Sequence, residues 1–430
     1  MRRSTWTETL AVRASPPLGQ VAVALSWWHP IRGLVECPAA RLLGGGLRRR
    51  GFRVRYRHWP PPAAPSPTGA VAWARVASYV AGDGAVVGMA AAVAPGEEDR
   101  LGAVVAEEIA DWVRVWRTRQ VLLAGTRPWC SGSTAARRVL ERLLATENAP
   151  VYVLGAIPAS RRVLAGLRAG GAVFVASLDA VPEQARVLFS QAGVSLAVRA
   201  EAAARGLAIT DATCPVVAAT AGEVRRLAEQ GETVVLVADP GQAAVPGLAG
   251  QAPEHVRMVA DLPHVPGLEV ADPRRVGVVV APGAPVAVTR PVAEAVRNRF
   301  GHVLPQDPAT LCAEPADRRA AVLRLAADTD VVLVAGPAGA DSRMLLGLVE
   351  GAGARAYRVS SAQEVRPAWL GGMAAVGITA SQGAPEGLVA ELLQGLSGLG
   401  PMAAVEVAIR SAAVAVPVTA PGIIAVVPRE

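Results

Sequence analysis

Leu207-Ala208-Ile209-Thr210, followed by Asp211-Ala212-Thr213-Cys214-Pro215-Val216-Val217, reads as a strand, a short loop, a cysteine and a helix. Proline is tolerated in the first turn of a helix, where its missing N–H has no partner to lose, so the helix begins directly behind Cys214. Two related arrangements flank this one at near-equal distances. Gln120-Val121-Leu122-Leu123 is a buried-type strand leading to Cys130, after which Ser133 can cap a helix whose Ala136, Val139, Leu140, Leu143 and Leu144 share one face. His302-Val303-Leu304 precedes Cys312, and Pro315 opens a helix containing Ala321 to Leu325. Three modules of similar length, each with a cysteine at a strand-to-helix turn, suggest pseudo-repetition. The expected fold is α/β: three modules over residues 119–213, 214–310 and 311–430, plus an N-terminal α/β extension over residues 1–118.

The bulk composition agrees. A chain of 430 residues is long for one core. Hydrophobic residues make up 52% and aromatics only 4%, which suits Ala, Val and Leu strands buried under helices. The net charge of +7 comes entirely from arginine on the basic side and is spread thinly, so it is not read as a nucleic-acid signal. No apolar run reaches the roughly 18 to 20 residues of a membrane span. Met1-Arg2-Arg3 has the charge of a signal peptide, but the nearest apolar stretch, Val21 to Trp28, follows Pro16-Pro17 and lacks a small-residue cleavage site. A cytoplasmic protein is expected, and four cysteines in so long a chain are no disulfide scaffold.

Within residues 1–118 the pattern is strand (Gln20 to Leu25), helix (Ala39 to Arg50) and strand (Phe52 to Tyr56). A Pro-rich surface loop follows (Pro60 to Pro67), then helix, strand (Ala85 to Met89) and a long helix (Glu97 to Arg117). Arg53, Arg55 and Arg57 alternate, as on a solvated edge strand protected by charge; an acidic partner or nucleic acid is the sharper alternative. Trp27-Trp28-His29-Pro30 and Cys37 read as a packed strand end, or as a cap and fourth ligand for a metal site. Gly336-Pro337-Ala338-Gly339 is a turn, too short a signal for a phosphate loop.

Cysteine ahead of a helix N-terminus is expected to have a lowered pKa, because the dipole and free N–H groups favour thiolate, the form that ligates iron. Three such ligands on a four-iron cluster would leave one iron open. Spacing alone leaves two readings open, a metal set and three small core residues.

The local words are more specific. Phe189-Ser190-Gln191-Ala192-Gly193-Val194 with Asp211 to Val217 resembles the 4-hydroxy-3-methylbut-2-enyl diphosphate reductase family of bacterial isoprenoid synthesis. So do Gln120 to Ala124 with Trp129-Cys130-Ser131-Gly132, Gly171 to Val175, Asp330 to Val334 with Gly336, and Gly377 to Ala380 with Pro385-Glu386. The resemblance runs from about Val121 to near the C-terminus. It implies three α/β modules packed around a central 4Fe-4S cluster on Cys130, Cys214 and Cys312, a small-molecule substrate, and an external one-electron donor such as ferredoxin or flavodoxin.

The side chains that handle substrate in that family are mostly replaced. Ala159-Ser160 stands at its first His, Ala192 at its second, and Gly241-Gln242-Ala243-Ala244 at its Gly-His-Pro-Glu. Val286-Ala287-Val288-Thr289 keeps one Thr of four positions, Ala340-Asp341-Ser342 replaces a Ser-Asn-Ser clamp, and Gly383 replaces a final Ser. Thr289 and Ser342 remain as candidate catalytic groups, and Asp341, Arg290 and Arg343 as candidate substrate contacts. A diphosphate needs donors or cations, and Asp341 offers the opposite. The first expectation is therefore an iron–sulfur reductase acting on a different, non-diphosphate substrate. A non-catalytic cluster protein with a structural, redox-sensing or partner-binding role, and the family's own reaction performed with substitute residues, are the alternatives.

Overall fold

Val331–Ala335 (Val-Val-Leu-Val-Ala) is buried at every position, so both its faces need cover and its backbone needs partners on both edges. It finds them in Arg355–Val359 and Ala375–Ala380, both parallel. Arg119–Ala124 and Met402–Val407 extend this to a five-stranded parallel sheet in the order 355–359, 331–335, 375–380, 119–124, 402–407. The computed structural model describes residues 5–407 apart from 13–15, 62–71, 126–129, 148 and 285. Pro62 to Pro67, Trp129 and Met1-Arg2-Arg3 lie outside the described residues.

Two further parallel sheets have four strands each. One runs Ala208–Asp211, Arg186–Phe189, Val151–Leu154, Ala172–Val175; the other runs Val256–Val259, Thr233–Val237, Val276–Val280, Val303–Leu304. The class is the expected α/β with parallel sheets. One strand is placed differently. Arg119–Ala124, expected to open the first module, is the fourth strand of the sheet built from residues 331–407. Its pairing partners are some 250 residues away, and no local pattern encodes a choice among buried apolar edges.

The N-terminal region forms a six-stranded mixed sheet in the order Thr5–Val12, Ala72–Val80, Val86–Val93, Gly33–Glu36, Gln20–His29, Arg53–His58. Arg53–His58 is the outer strand, with Arg53, Arg55 and Arg57 exposed, as expected of a charged edge. Two expectations are corrected. The segment before Ala85, expected as helix, is the strand Ala72–Val80; its alanines fit either state, and antiparallel pairing on both edges decides. The expected helix from Glu97 to Arg117 is shorter: a wide π-type turn at Glu98–Gly102 precedes the α-helix Ala103–Val113.

The described residues divide into two compact units, one within residues 1–128 and 320–408 and the other within residues 129–319. In the first unit, Trp27, Leu42, Leu47 and Trp112 share one core with Val331, Leu333, Leu392 and Leu396. Cys37 is part of that core, 3% exposed, and burial pushes its thiol far up from the ordinary range. This is the packed reading of Cys37, which lies in the apolar core of the first unit, whereas the three module cysteines belong to the second. In the second unit, separate apolar clusters line the faces of its two parallel sheets.

Candidate metal centre

All three module cysteines belong to the second unit, and each stands where a helix begins. Cys130 is itself the N-cap of the helix Ser131–Thr146; its sulfur accepts the Ser133 N–H at 3.3 Å and meets Ser133 Oγ at 3.1 Å. Sequence reasoning gave the capping role to Ser133, but an extended backbone at Cys130 turns the thiol back onto the first turn. Cys214 holds the N-cap position of the helix Pro215–Glu229 without a side-chain capping bond, and Pro215 stands in the first turn as expected. Asp211 shapes the loop before it: Oδ1 accepts from the Thr213 N–H at 2.9 Å, while Oδ2 meets Arg199 at 2.7 Å. The Cys214 N–H donates to the Gln191 carbonyl at 3.0 Å, which fixes the loop to the end of a neighbouring strand. Cys312 lies between the turn Pro308–Thr310 and the helix Glu314–Asp328, and its sulfur accepts from the backbone of Glu314 and Gly283.

Two contacts gather these turns. Gly132, in the first turn behind Cys130, lies so close to Cys214 that an added Cβ would stand 2.6 Å from the sulfur and 2.9 Å from the Cys214 Cβ. Only a residue without a side chain permits that approach. Glu314 Oε1 accepts from the Ser131 N–H at 2.8 Å and from the Ser131 hydroxyl, which ties the Cys130 helix to the Cys312 helix. Glu314, Ser131 and Gly132 went unassigned in the sequence, although each is within two residues of a cysteine.

The electrostatics correct one expectation. Burial pushes the Cys214 and Cys312 thiols up, and the helix N–H groups only partly pull them back. Neighbouring negative charge pushes further: Cys130 and Glu314 act on Cys214, and Glu314 and Cys214 act on Cys312. Desolvation therefore outweighs the helix dipole at both sites. Thiolates and a carboxylate in one neighbourhood repel one another, and a bound cation reverses that logic by deprotonating the thiols. The donor set is soft sulfur, which suits iron–sulfur chemistry. Among the described residues, no group of three or more His, Cys, Asp or Glu side chains is already drawn together tightly enough to hold a single ion.

Residues 121–397 match the LytB protein family. The chain belongs to the LytB family. It is 38% identical over 281 residues to the 4-hydroxy-3-methylbut-2-enyl diphosphate reductase of Methylibium petroleiphilum, covering 65% of this chain and 85% of that one. It is 37% identical over 282 residues to the Bordetella pertussis reductase, covering 65% and 87%. By fold it is similar to the reductase structure from Plasmodium falciparum, with a TM-score of 0.59 at 20% identity, covering 69% of this chain and 94% of that one. A second reductase structure, described as the terminal enzyme of the non-mevalonate pathway, gives a TM-score of 0.55 at 23% identity and coverages of 65% and 99%. Residues 1–120 precede the LytB match. No helix among the described residues is long and apolar enough to cross a membrane.

Most of the positions aligned with the LytB substrate residues carry side chains that are buried or already engaged. Ser160 is 7% exposed and caps a helix, accepting the Val163 N–H at 3.4 Å. Ala192 and Ala244 are buried. Thr289 is 6% exposed, in the helix Val286–Phe300, and Arg290 in the same helix is exposed and paired with Glu294 at 2.9 Å. Asp341, Ser342 and Arg343 belong to the first unit. There Ser342 Oγ takes the Gly339 N–H and returns a bond to its carbonyl, both at 3.0 Å, so its hydroxyl is engaged as a cap. Asp341 accepts from the Gln382 N–H at 2.6 Å, and Arg343 is exposed. Gly383 has φ +78°, where a serine would be strained, which gives a physical reason for the loss of a hydroxyl there.

Gln191 is the informative newcomer. It is 8% exposed, its Nε2 donates to the Ala156 carbonyl at 3.0 Å, and its Oε1 is buried with no hydrogen-bond partner among the described residues. Its own carbonyl holds the Cys214 N–H, so this orphaned acceptor belongs to the residue braced against the Cys214 loop.

Proposed function

We propose that Cys130, Cys214 and Cys312 hold a four-iron cluster and that the protein is a reductase of the LytB type acting on an uncharged, hydroxyl-bearing substrate. When bound, such a cluster supplies electrons and one iron without a protein ligand, which can act as a Lewis acid toward an oxygen. The residues of this chain do the rest. Gly132 and the Ser131–Glu314 bonds set the mutual approach of the three cysteine turns. Gln191 supplies a buried acceptor, and a buried acceptor left unpaired costs about 1–3 kcal/mol until a donor reaches it. A substrate hydroxyl or N–H supplies that donor, whether or not the substrate also carries phosphate; it is the replaced donors and acid that disfavour a diphosphate.

The observation that carries this reading is Gln191 beside Cys214, taken with alanine at Ala159, Ala192 and Ala244. Those alanines offer a diphosphate no donor and a leaving hydroxyl no acid. Each missing charge-assisted bond is worth roughly 1.5–3 kcal/mol, and loss of the acid lowers a rate by about 100 to 10,000-fold. An orphaned polar group favours substrate binding over a purely structural cluster, whose surroundings gain nothing from it.

The test is anaerobic and uses cluster-replete protein with a strong one-electron donor. The diphosphate named for the relatives and its dephosphorylated diol are compared by turnover and by the electron paramagnetic resonance of the reduced protein. The diol perturbs the signal and the diphosphate does not. Robust conversion of the diphosphate to five-carbon diphosphate products sinks the proposal and restores the relatives' own reaction.

A further inference from the structure

The arginines at the end of the helix Ala40–Arg49 are not spent on carboxylates in the same way. Arg50 meets Glu107 at 3.1 Å, Glu108 at 2.7 Å and Asp111 at 3.1 Å, and Arg114 also pairs with Asp111. Arg49 instead donates to backbone carbonyls, Gln363 at 2.6 Å and Val365 at 3.1 Å. Arg48 donates to the Gln363 side chain and to the Val54 carbonyl, and Arg358 to the Gly336 carbonyl and Ser360 Oγ. Arg366 lies over the Trp369 ring at 5.6 Å. Neutral partners orient a guanidinium without cancelling its charge. Near Arg48, Arg49, Arg358 and Arg366 the carboxylates are Glu108, already paired with Arg50 at 2.7 Å, and Glu364, whose Oε2 accepts the Ser360 N–H.

These side chains line two adjoining cavities of the first unit that share Arg49 and Arg366. One, of about 520 Å³, also holds Arg50 and Arg114 with their partners Glu108 and Asp111; the other, of about 450 Å³, also holds Arg48, Arg358, Ser361, Glu364 and Trp369. Arg49 carries the strain of the arrangement. Burial lowers its pKa, and the Arg366 charge lowers it further against the pull of Glu108 and Glu364. Crowded, partly desolvated guanidinium groups facing a cavity are where a polyanion gains most, because planar forks bind phosphoryl oxygens two at a time.

We infer that this groove binds a phosphate-bearing small molecule with at least two adjacent phosphoryl groups. The shared Arg49 and Arg366 hold the centre of the polyanion, Arg48 and Arg358 hold one end, and the Ser361 hydroxyl lines the same cavity. The ligand chemistry is shared by free polyphosphates and by nucleotides. Its residues all belong to the first unit and the three module cysteines to the second, and the inference does not rest on the cluster proposal.

The experiment is calorimetric titration of the full chain with inorganic pyrophosphate and with adenosine diphosphate. Saturable binding is expected, weakened about tenfold or more by Arg366→Gln and, independently, by Arg358→Gln, as loss of one charge-assisted contact predicts. Arg53→Gln, on the exposed edge strand, leaves it unchanged. Tighter binding of adenosine diphosphate through the same arginines assigns a nucleotide; equal or weaker binding assigns a free polyphosphate. No saturable binding of either, binding indifferent to both variants, or tighter capture of a DNA oligonucleotide by the same arginines overturns the inference.

Discussion

Gly45→Ala places a methyl group into the seam between the Ala40–Arg49 helix and residues 361–366. The new Cβ would stand 2.7 Å from the Gln363 Cα, 2.6 Å from its carbonyl carbon, and closer still to its oxygen. Ordinary carbon contacts lie near 3.5–4.0 Å, so one backbone or the other must move by about 1 Å. Gln363 cannot move freely: Arg49 holds its carbonyl and Arg48 its side chain. Two effects oppose each other. Alanine is better than glycine inside a helix by about 0.5–1 kcal/mol. Overpacking a rigid site costs about 1–3 kcal/mol or more. The clash wins by about 1–2 kcal/mol, and at about 2–4 °C per kcal/mol for a unit of this size the melting temperature falls by about 2–8 °C. Gly347→Ala is the control, since Gly347 is exposed in the helix Ala340–Gly351 and its Cβ would meet nothing within 4 Å. That variant melts at the wild-type temperature or a few degrees above it. Differential scanning calorimetry measures both. A Gly45→Ala protein as stable as Gly347→Ala would refute the packing of the N-terminal helix against residues 361–366.

Gly132→Ala drives a methyl group against Cys214 and is expected to cut iron content after anaerobic reconstitution by more than half, read against the protein's own circular dichroism as a folding check. Glu223→Gln reports on a different bond set, since Glu223 accepts from Arg226 Nε and Nη2, both at 2.7 Å, and from the Asp307 N–H at 3.0 Å. The Arg226 hydrogen bonds hold its carboxyl below the ordinary glutamate value, so its stabilisation is full above about pH 4.5 and is lost as pH falls through the folded value. The variant is expected to be about 1–2 kcal/mol less stable at pH 7, with the gap closing as pH falls through the lowered folded value; a gap of constant width would show that the charge contributes nothing. Limited proteolysis is expected not to release an intact, folded fragment starting near Arg119, because residues 21–112 and 331–399 share one core. Rapid, clean release would show the N-terminal region to be an independent appendage.

Much of the α/β class was legible, because runs such as Thr233–Val237 and Val331–Ala335 are apolar on both faces and can only be central strands. Pro215 marked a helix start that the structure keeps. The partner of Arg119–Ala124 was not legible, since pairing across hundreds of residues leaves no local pattern. Nor was the strand Ala72–Val80, whose alanines carry no strong propensity. At the cysteines, the helix N–H groups were visible in the sequence but the desolvation that outweighs them was not, because burial is a property of the fold. Glu314 stood two residues from Cys312 all along; its bond to Ser131 depends on two turns far apart in the chain. Gln191 sits within the run Phe189-Ser190-Gln191-Ala192-Gly193-Val194, and only the burial of its unpaired oxygen distinguishes it from ordinary polarity.

The central claim is that Cys130, Cys214 and Cys312 are ligands of one cluster. Anaerobic purification with iron and acid-labile sulfide analysis and Mössbauer spectroscopy tests it most directly, on the full chain and on Cys130→Ser, Cys214→Ser, Cys312→Ser and Cys37→Ser. The account predicts about four irons and four sulfides per chain, with one iron site distinguishable from the other three. Each of the three module variants loses most of the iron, and Cys37→Ser keeps it. Iron well below one per chain in the reconstituted protein, or full loading in any of the three module variants, would contradict the account.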